Sequence, residues 1–314
     1  MSGPEDRLID PVADAETELG ARGRDDQMRR IGPMSVVPTL FTLGNLIAGF
    51  AAIFYASRPD TFAGPWGWSG LTYAGALVFL GMIFDAVDGS VARLTRSHSE
   101  LGGQLDSLAD VVTFGVAPAF MMLQLVGHHL QYEPGRTIIG PEADSALGKV
   151  LWAVAAVYVS CAALRLARFN IELGPGRINE QKCFRGLPSP GAAGVVASFI
   201  LLHQHLLVAK FGSEVPTSFV RGAALGIPFI ALLCAFAMVS SIPYPHATNR
   251  YLYGARSFHY IVRLVVLLVL AVWWFQETVA VVFTAYALSG PVQMAWSRHR
   301  RGSNHLVPGA GADG

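Results

Sequence analysis

A chain of 314 residues that is 52% hydrophobic and only 14% charged, with mean hydropathy +0.42, is not composed like a water-soluble domain, where about a quarter of residues are charged. Its net charge of +1 offers no electrostatic footprint for nucleic acid. The three cysteines, Cys161, Cys183 and Cys234, show neither CxxC nor Cys/His metal spacing and imply no disulfide framework.

In chain order, residues 1–33 are rich in Asp, Glu, Arg and Gly and hold no long apolar run. Such a stretch buries too little to fold, and a disordered cytoplasmic tail is expected. It is not a signal peptide, which would place an apolar core soon after a basic start. Eight apolar segments follow, at about 36–56, 69–91, 108–128, 148–168, 191–209, 222–241, 259–275 and 278–296, each near the roughly 20 residues that cross the hydrocarbon core. The expectation is an all-α polytopic membrane protein with about eight transmembrane helices, a transmembrane domain over 34–297, and a disordered basic, then Gly-rich tail over 298–314. Only Gln276 and Glu277 separate the last two segments, which fits a tight αα-hairpin or one broken helix.

Lys and Arg set the orientation. With the N-terminus inside, the inner loops and tails hold 18 of the 23 basic residues. The outer side keeps Arg58, Arg136, Lys149, Lys210 and Arg221. Both termini are then cytoplasmic. The nine histidines are scattered, with His128-His129 the only adjacent pair, and read as ordinary polar positions.

Four carboxylates stand out from this apolar background: Asp85 and Asp88 near the end of segment two, Asp106 and Asp110 at the start of segment three. At about 100° per residue, Asp85, Asp88, Gly89 and Ala92 share one helix face. Asp106 and Asp110 are i and i+4 and stack on one face of the next helix, with Gly102 one turn earlier. Two such helices facing each other bring four anions together at the cytoplasmic membrane edge. Those anions need cations, and hard oxygen ligands suit Mg²⁺ or Mn²⁺. The small residues Gly89, Ala92 and Gly102 leave room for a bulky ligand against the backbone.

The pattern Asp85-x2-Asp88-Gly89-x2-Ala92-Arg93-x8-Gly102-x3-Asp106-x3-Asp110 resembles the signature of the CDP-alcohol phosphotransferases at all eight of its fixed positions, spread over 26 residues. The resemblance implies transfer of a phosphatidyl group from CDP-diacylglycerol to an alcohol with release of CMP. It implies two divalent ions, Mg²⁺ or Mn²⁺, on Asp85, Asp88, Asp106 and Asp110, with Asp110 also the general base. For the nucleotide-lipid it points to Thr39, Thr42, Asn45, Gly89, Ala92, Arg93, Ser99 and Gly102. Relatives are homodimers, and the implied location is a bacterial plasma membrane with the site facing the cytoplasm.

Three further marks resemble the phosphatidylserine-forming branch of the family: Arg168-Phe169-Asn170, the run Phe184-Arg185-Gly186-Leu187-Pro188-Ser189-Pro190, and Ser240-Ser241-Ile242-Pro243-Tyr244-Pro245. Serine is thus the expected acceptor. Arg165, Arg168 and Lys182 would take its carboxylate, and Asn170 its ammonium or hydroxyl. An acceptor bearing phosphate would want the same cations, so a sister enzyme using inositol phosphate or glycerol 3-phosphate is the nearest alternative. A divalent-cation transporter, with intramembrane acids as its ion path, is the alternative from another class. A purely structural membrane protein would leave the acids unexplained.

Overall fold

The computed structural model describes residues 36–95, 100–130, 137–172, 184–210, 215–244 and 273–304. Within them the chain is helical apart from one short strand pair. The elements are α1 (Val36–Ala56), α2 (Gly70–Thr95), α3 (Glu100–Asp110), a π-helical turn (Val111–Val116), α4 (Ala117–His129), α5 (Ala146–Glu172), β1 (Phe184–Arg185), α6 (Ser189–Leu202) running into a second π-helical stretch (His203–Lys210), α7 (Thr217–Val239), β2 (Pro243–Tyr244) and α8 (Phe275–Asn304). Seven helical stretches among the described residues are long and apolar enough to cross a membrane, with α3, the π turn and α4 counting as one rod. The seventh expected segment, 259–275, lies almost wholly outside the described residues.

Only helices and closed barrels satisfy all backbone groups in lipid, and this chain takes the helical route. Its outward faces are correspondingly apolar. Leu40, Ile47 and Phe54 recur every seven residues on α1 and are 48–66% exposed, a stripe that water would not tolerate and lipid does. Trp66, Trp68, Tyr55, Phe62 and Tyr73 gather at the α1–α2 loop, as rings do at a membrane–water interface. At that same end Asp60 pairs with His128, and the His129 and His203 rings lie 5.0 Å apart.

The rod from Leu101 to His129 and α6 form the inside of the bundle: 67% and 61% of their most apolar stretches are buried, against 11% for α8. Phe114, Met121, Met122 and Leu125 of the rod and Val196 and Ile200 of α6 are almost fully enclosed. The rod begins earlier than expected, at Glu100 rather than about 108, and α2 continues to Thr95. Of the polar run Leu94–Leu101, Leu94 and Thr95 continue α2, and Glu100 and Leu101 open α3. Residues 96–99 lie outside the described residues. Gln276 and Glu277 lie in the first turn of α8, which follows a bend at Trp274. That helix runs on through Asn304, past the expected end at 297, and carries Pro291 within it.

Halfway along the rod, the Ala117 N–H reaches back to the carbonyl of Val112, an i to i+5 bond. The widened turn presents Thr113 to α1, where its hydroxyl donates to the Asn45 carbonyl at 2.9 Å. Backbones approach closely there. A Cβ placed on Gly49 would sit 2.8 Å from the Thr113 Cα and closer still to its hydroxyl. Gly49→Ala is therefore expected to push α1 off the rod and destabilise the protein by about 1–3 kcal/mol. A thermal melt of purified protein in detergent checks this, and an unchanged melting temperature would refute it.

The strand pair joins the two ends of the bundle's second half. Phe184 faces Tyr244 and Arg185 faces Pro243 in antiparallel register. Gly186 follows with φ +86°, its N–H bound to the Ile242 carbonyl at 2.9 Å and its missing Cβ making room for the Met238 carbonyl. A side chain is strained at that φ. Pro188 then caps α6, and the fully buried Leu187 bonds through its N–H to Ala237. Two of the three branch marks in the sequence are thus one structural unit. Tyr244 closes it: burial pushes its phenol up to about 12, so the hydroxyl stays protonated and donates to the Ala287 carbonyl of α8 at 3.1 Å.

Candidate active site

Asp85 and Asp88 lie near the end of the α2 span, Gly70–Val91, and Asp106 and Asp110 near the start of the rod. The helices run in opposite directions, so the acids share one end of the bundle. One oxygen from each of Asp85, Asp88 and Asp106 lies within 4.8 Å of the others. Placement at the end of the spans is not the midplane position that an ion-conducting path requires.

α1 supplies the supports. The Thr42 hydroxyl donates to Asp88 Oδ2 at 2.9 Å, and Asn45 Nδ2 donates to Asp110 Oδ1 at 3.1 Å. Thr42 is also within 3.2 Å of the Pro38 carbonyl, one turn back. Thr42, Asn45, Asp88 and Asp110 are all buried. Phe41 and Phe84, with ring centres 6.4 Å apart, pack between α1 and α2 beside these bonds. One basic side chain enters from α5: Arg165 lies within electrostatic reach of both Asp85 and Asp110, and its Nη1 donates to Ser189 Oγ at 2.8 Å.

The donor set suits a hard divalent cation. Three carboxylates converge, and Asp106 Oδ1 is buried without a hydrogen-bond partner among the described residues. A buried carboxylate oxygen left so is costly unless a cation meets it. Residues 35–239 match the CDP-alcohol phosphatidyltransferase family, and this span holds every acid of the site.

The chain belongs to the CDP-alcohol phosphatidyltransferase family.

Individual relatives agree. A CDP-diacylglycerol–serine O-phosphatidyltransferase of Helicobacter pylori is 34% identical over 216 residues, 69% of this chain and 74% of the relative. One from Methanocaldococcus jannaschii is 32% identical over 175 residues, 56% of this chain and 65% of that protein. An archaetidylserine synthase of Methanothermobacter thermautotrophicus is 30% identical over 220 residues, 69% of this chain and 72% of its own length.

Within this family member the expected site residues fall into three groups. Asp85, Asp88, Asp106, Asp110, Thr42 and Asn45 form one connected set, and Arg165 joins it through charge. Thr39, Gly89 and Gly102 are half-buried on the same elements, and the backbone of Ala92 and Arg93 continues α2. Arg168 is half-buried on α5, and Asn170 Nδ2 reaches the Ser107 hydroxyl at 2.8 Å, next to Asp106 in sequence. Ser99 and Lys182 lie outside the described residues. Ser189, Thr113 and Tyr286 were not anticipated. Ser189 stood inside the quoted Gly-Leu-Pro run, and Thr113 was a lone hydroxyl in an apolar stretch. Tyr286 carried no signal at all.

Thr42 and Asn45 were expected on the nucleotide-lipid, yet their donor groups are directed at the carboxylates. Outer partners of this kind typically tune metal affinity or activity 10–100-fold. Thr42→Val keeps the shape and removes the donor. It is expected to raise the Mn²⁺ concentration for half-maximal activity by about tenfold or more. A metal titration that overlays the wild-type curve would refute that role.

Proposed function

We propose that this protein transfers the phosphatidyl group of CDP-diacylglycerol to the hydroxyl of L-serine, giving phosphatidylserine and CMP. The convergence of three carboxylates beside a supported fourth carries the reading, together with the branch of the family in which its relatives are named. Asp85, Asp88, Asp106 and Asp110 would hold two divalent ions, Mg²⁺ or Mn²⁺. When bound, such ions neutralise the pyrophosphate and the charge that develops on the attacking and leaving oxygens.

The chain's own residues do the rest. Gly89, Ala92 and Gly102 let the nucleotide-lipid approach the helix backbones, and Arg93 meets its diphosphate. Asp110 takes the proton from the serine hydroxyl as that oxygen forms its bond to the phosphatidyl phosphorus. The bond from that phosphorus to the CMP oxygen breaks, and CMP leaves with the electron pair. Asn45 orients Asp110 for this proton transfer, and Thr42 fixes Asp88. Arg165 and Arg168, with Lys182 and Asn170, bind the acceptor's charged groups. The positive-inside bias supports a site facing the cytoplasm; the family resemblance supports a bacterial plasma membrane and a homodimer.

The decisive experiment supplies one donor, CDP-diacylglycerol, with a panel of labelled acceptors: serine, glycerol 3-phosphate and inositol phosphate. Label is expected in lipid from serine alone. Preferential labelling by either phosphorylated alcohol would replace the acceptor and leave the family chemistry intact.

A further inference from the structure

The last helix lies wholly beyond residues 35–239, the span shared across the family, yet it packs against the acceptor side of the site. Three close approaches seat it. Gly194 on α6 yields space to the Phe283 ring, and a Cβ on Gly191 would lie 2.9 Å from Tyr286 Cε1. Gly290 in turn admits the Tyr244 ring, where a Cβ would lie 2.6 Å from Cζ. Tyr244 bonds to the Ala287 carbonyl, and its ring centre stands 6.1 Å from that of Tyr286. Tyr286 is therefore held on two sides, by the first turn of α6 and by β2.

That first turn of α6 is also where Arg165 is anchored. Ser189, fully buried, accepts from Arg165 Nη1, and Gly191 lies two residues on. Arg165 lies within electrostatic reach of Asp85, Asp110 and the Tyr286 phenol. A guanidinium and a phenol hydroxyl within such reach of each other can both donate to a single carboxylate, the guanidinium through its planar fork.

We propose that Tyr286 is a specificity-determining residue of the acceptor pocket, its hydroxyl and the Arg165 guanidinium together clamping the carboxylate of an α-amino-acid acceptor. This rests on the serine reading above. A pocket built to hydrogen-bond a substrate group discriminates strongly against analogues that lack it. The clamp thus accounts for choosing serine over the same amino alcohol without its carboxylate.

The test compares wild type with Tyr286→Phe, which keeps the ring against Gly191 and loses only the hydroxyl. Membranes containing each are assayed for CMP release with CDP-diacylglycerol and either L-serine or ethanolamine. Tyr286→Phe is expected to raise the serine KM about tenfold, to leave the CDP-diacylglycerol KM within about twofold, and to narrow the preference for serine over ethanolamine. Equal rises in both KM values, or an unchanged serine-to-ethanolamine ratio, would overturn the clamp, since either marks a merely structural ring. Wild-type protein is assayed first with the full acceptor panel. If it proves specific for a phosphorylated alcohol, the serine reading falls before any variant is examined. If it is specific for serine and Tyr286→Phe is silent, only the clamp falls.

Discussion

Asp110→Asn is expected to lower turnover by about 10²–10⁴-fold, the range for loss of a general base, with CDP-diacylglycerol affinity nearly unchanged. Asparagine preserves the shape of the side chain, and its carbonyl oxygen can still accept from Asn45 Nδ2. What it cannot do is take a proton. Asp110 lies beside the converging trio of Asp85, Asp88 and Asp106, and its Oδ1 is already engaged by Asn45. Its substitution therefore disturbs the cation cradle less than any other acid would. CMP release in single turnover, set beside equilibrium binding of the lipid, separates the two effects. Equal loss of binding and turnover would make Asp110 chiefly a metal ligand.

Asp106→Asn is expected to behave differently, abolishing activity together with the response to Mn²⁺. Its Oδ1 is buried without a hydrogen-bond partner among the described residues, so a divalent ion is the natural occupant of that lone pair. Losing an ion that stabilises the transition state by several kcal/mol, at 1.36 kcal/mol per tenfold, amounts to a fall of about three orders of magnitude. Asp85→Asn acts through the same ion. The double variant should therefore be little worse than either single one, as expected for residues that act as a unit. Full additivity of the two losses would show that these acids serve separate purposes. Chelation of wild-type enzyme, followed by Mn²⁺ re-addition, gives the reversible control.

The quartet of acids was legible because helical spacing is a local property. Asp85 and Asp88 share a face by arithmetic, as do Asp106 and Asp110, and hydropathy located the spans that carry them. The supports on α1 were harder to read. Thr42 and Asn45 announced themselves as polar residues in an apolar helix, but their partners depend on how α1 crosses α2 and the rod. That crossing is fixed by Gly49 and Thr113, and no pattern along the chain expresses it. The pairing of the Gly-Leu-Pro element with the Ile-Pro-Tyr element was likewise hidden, since both were visible only as separate marks. Tyr286 was beyond reach altogether: one tyrosine in an apolar helix looks like any other until Gly191 and Tyr244 show where it is held. The helix bounds at Glu100, Thr95 and Asn304 slipped because hydropathy reports membrane thickness, whereas a helix can continue into polar sequence beyond the hydrocarbon core.

The widened turn at Val111–Val116 lets one rod serve two neighbourhoods with conflicting demands. A single surplus residue rotates everything downstream by about 100° relative to a regular helix. The acids before it and the packing residues Met121 and Leu125 after it are therefore set to different screw phases. Loss of one residue here would let chemistry or core keep its alignment, but not both. Length between Asp110 and Ala117 is consequently under tighter constraint than the identity of most side chains within it.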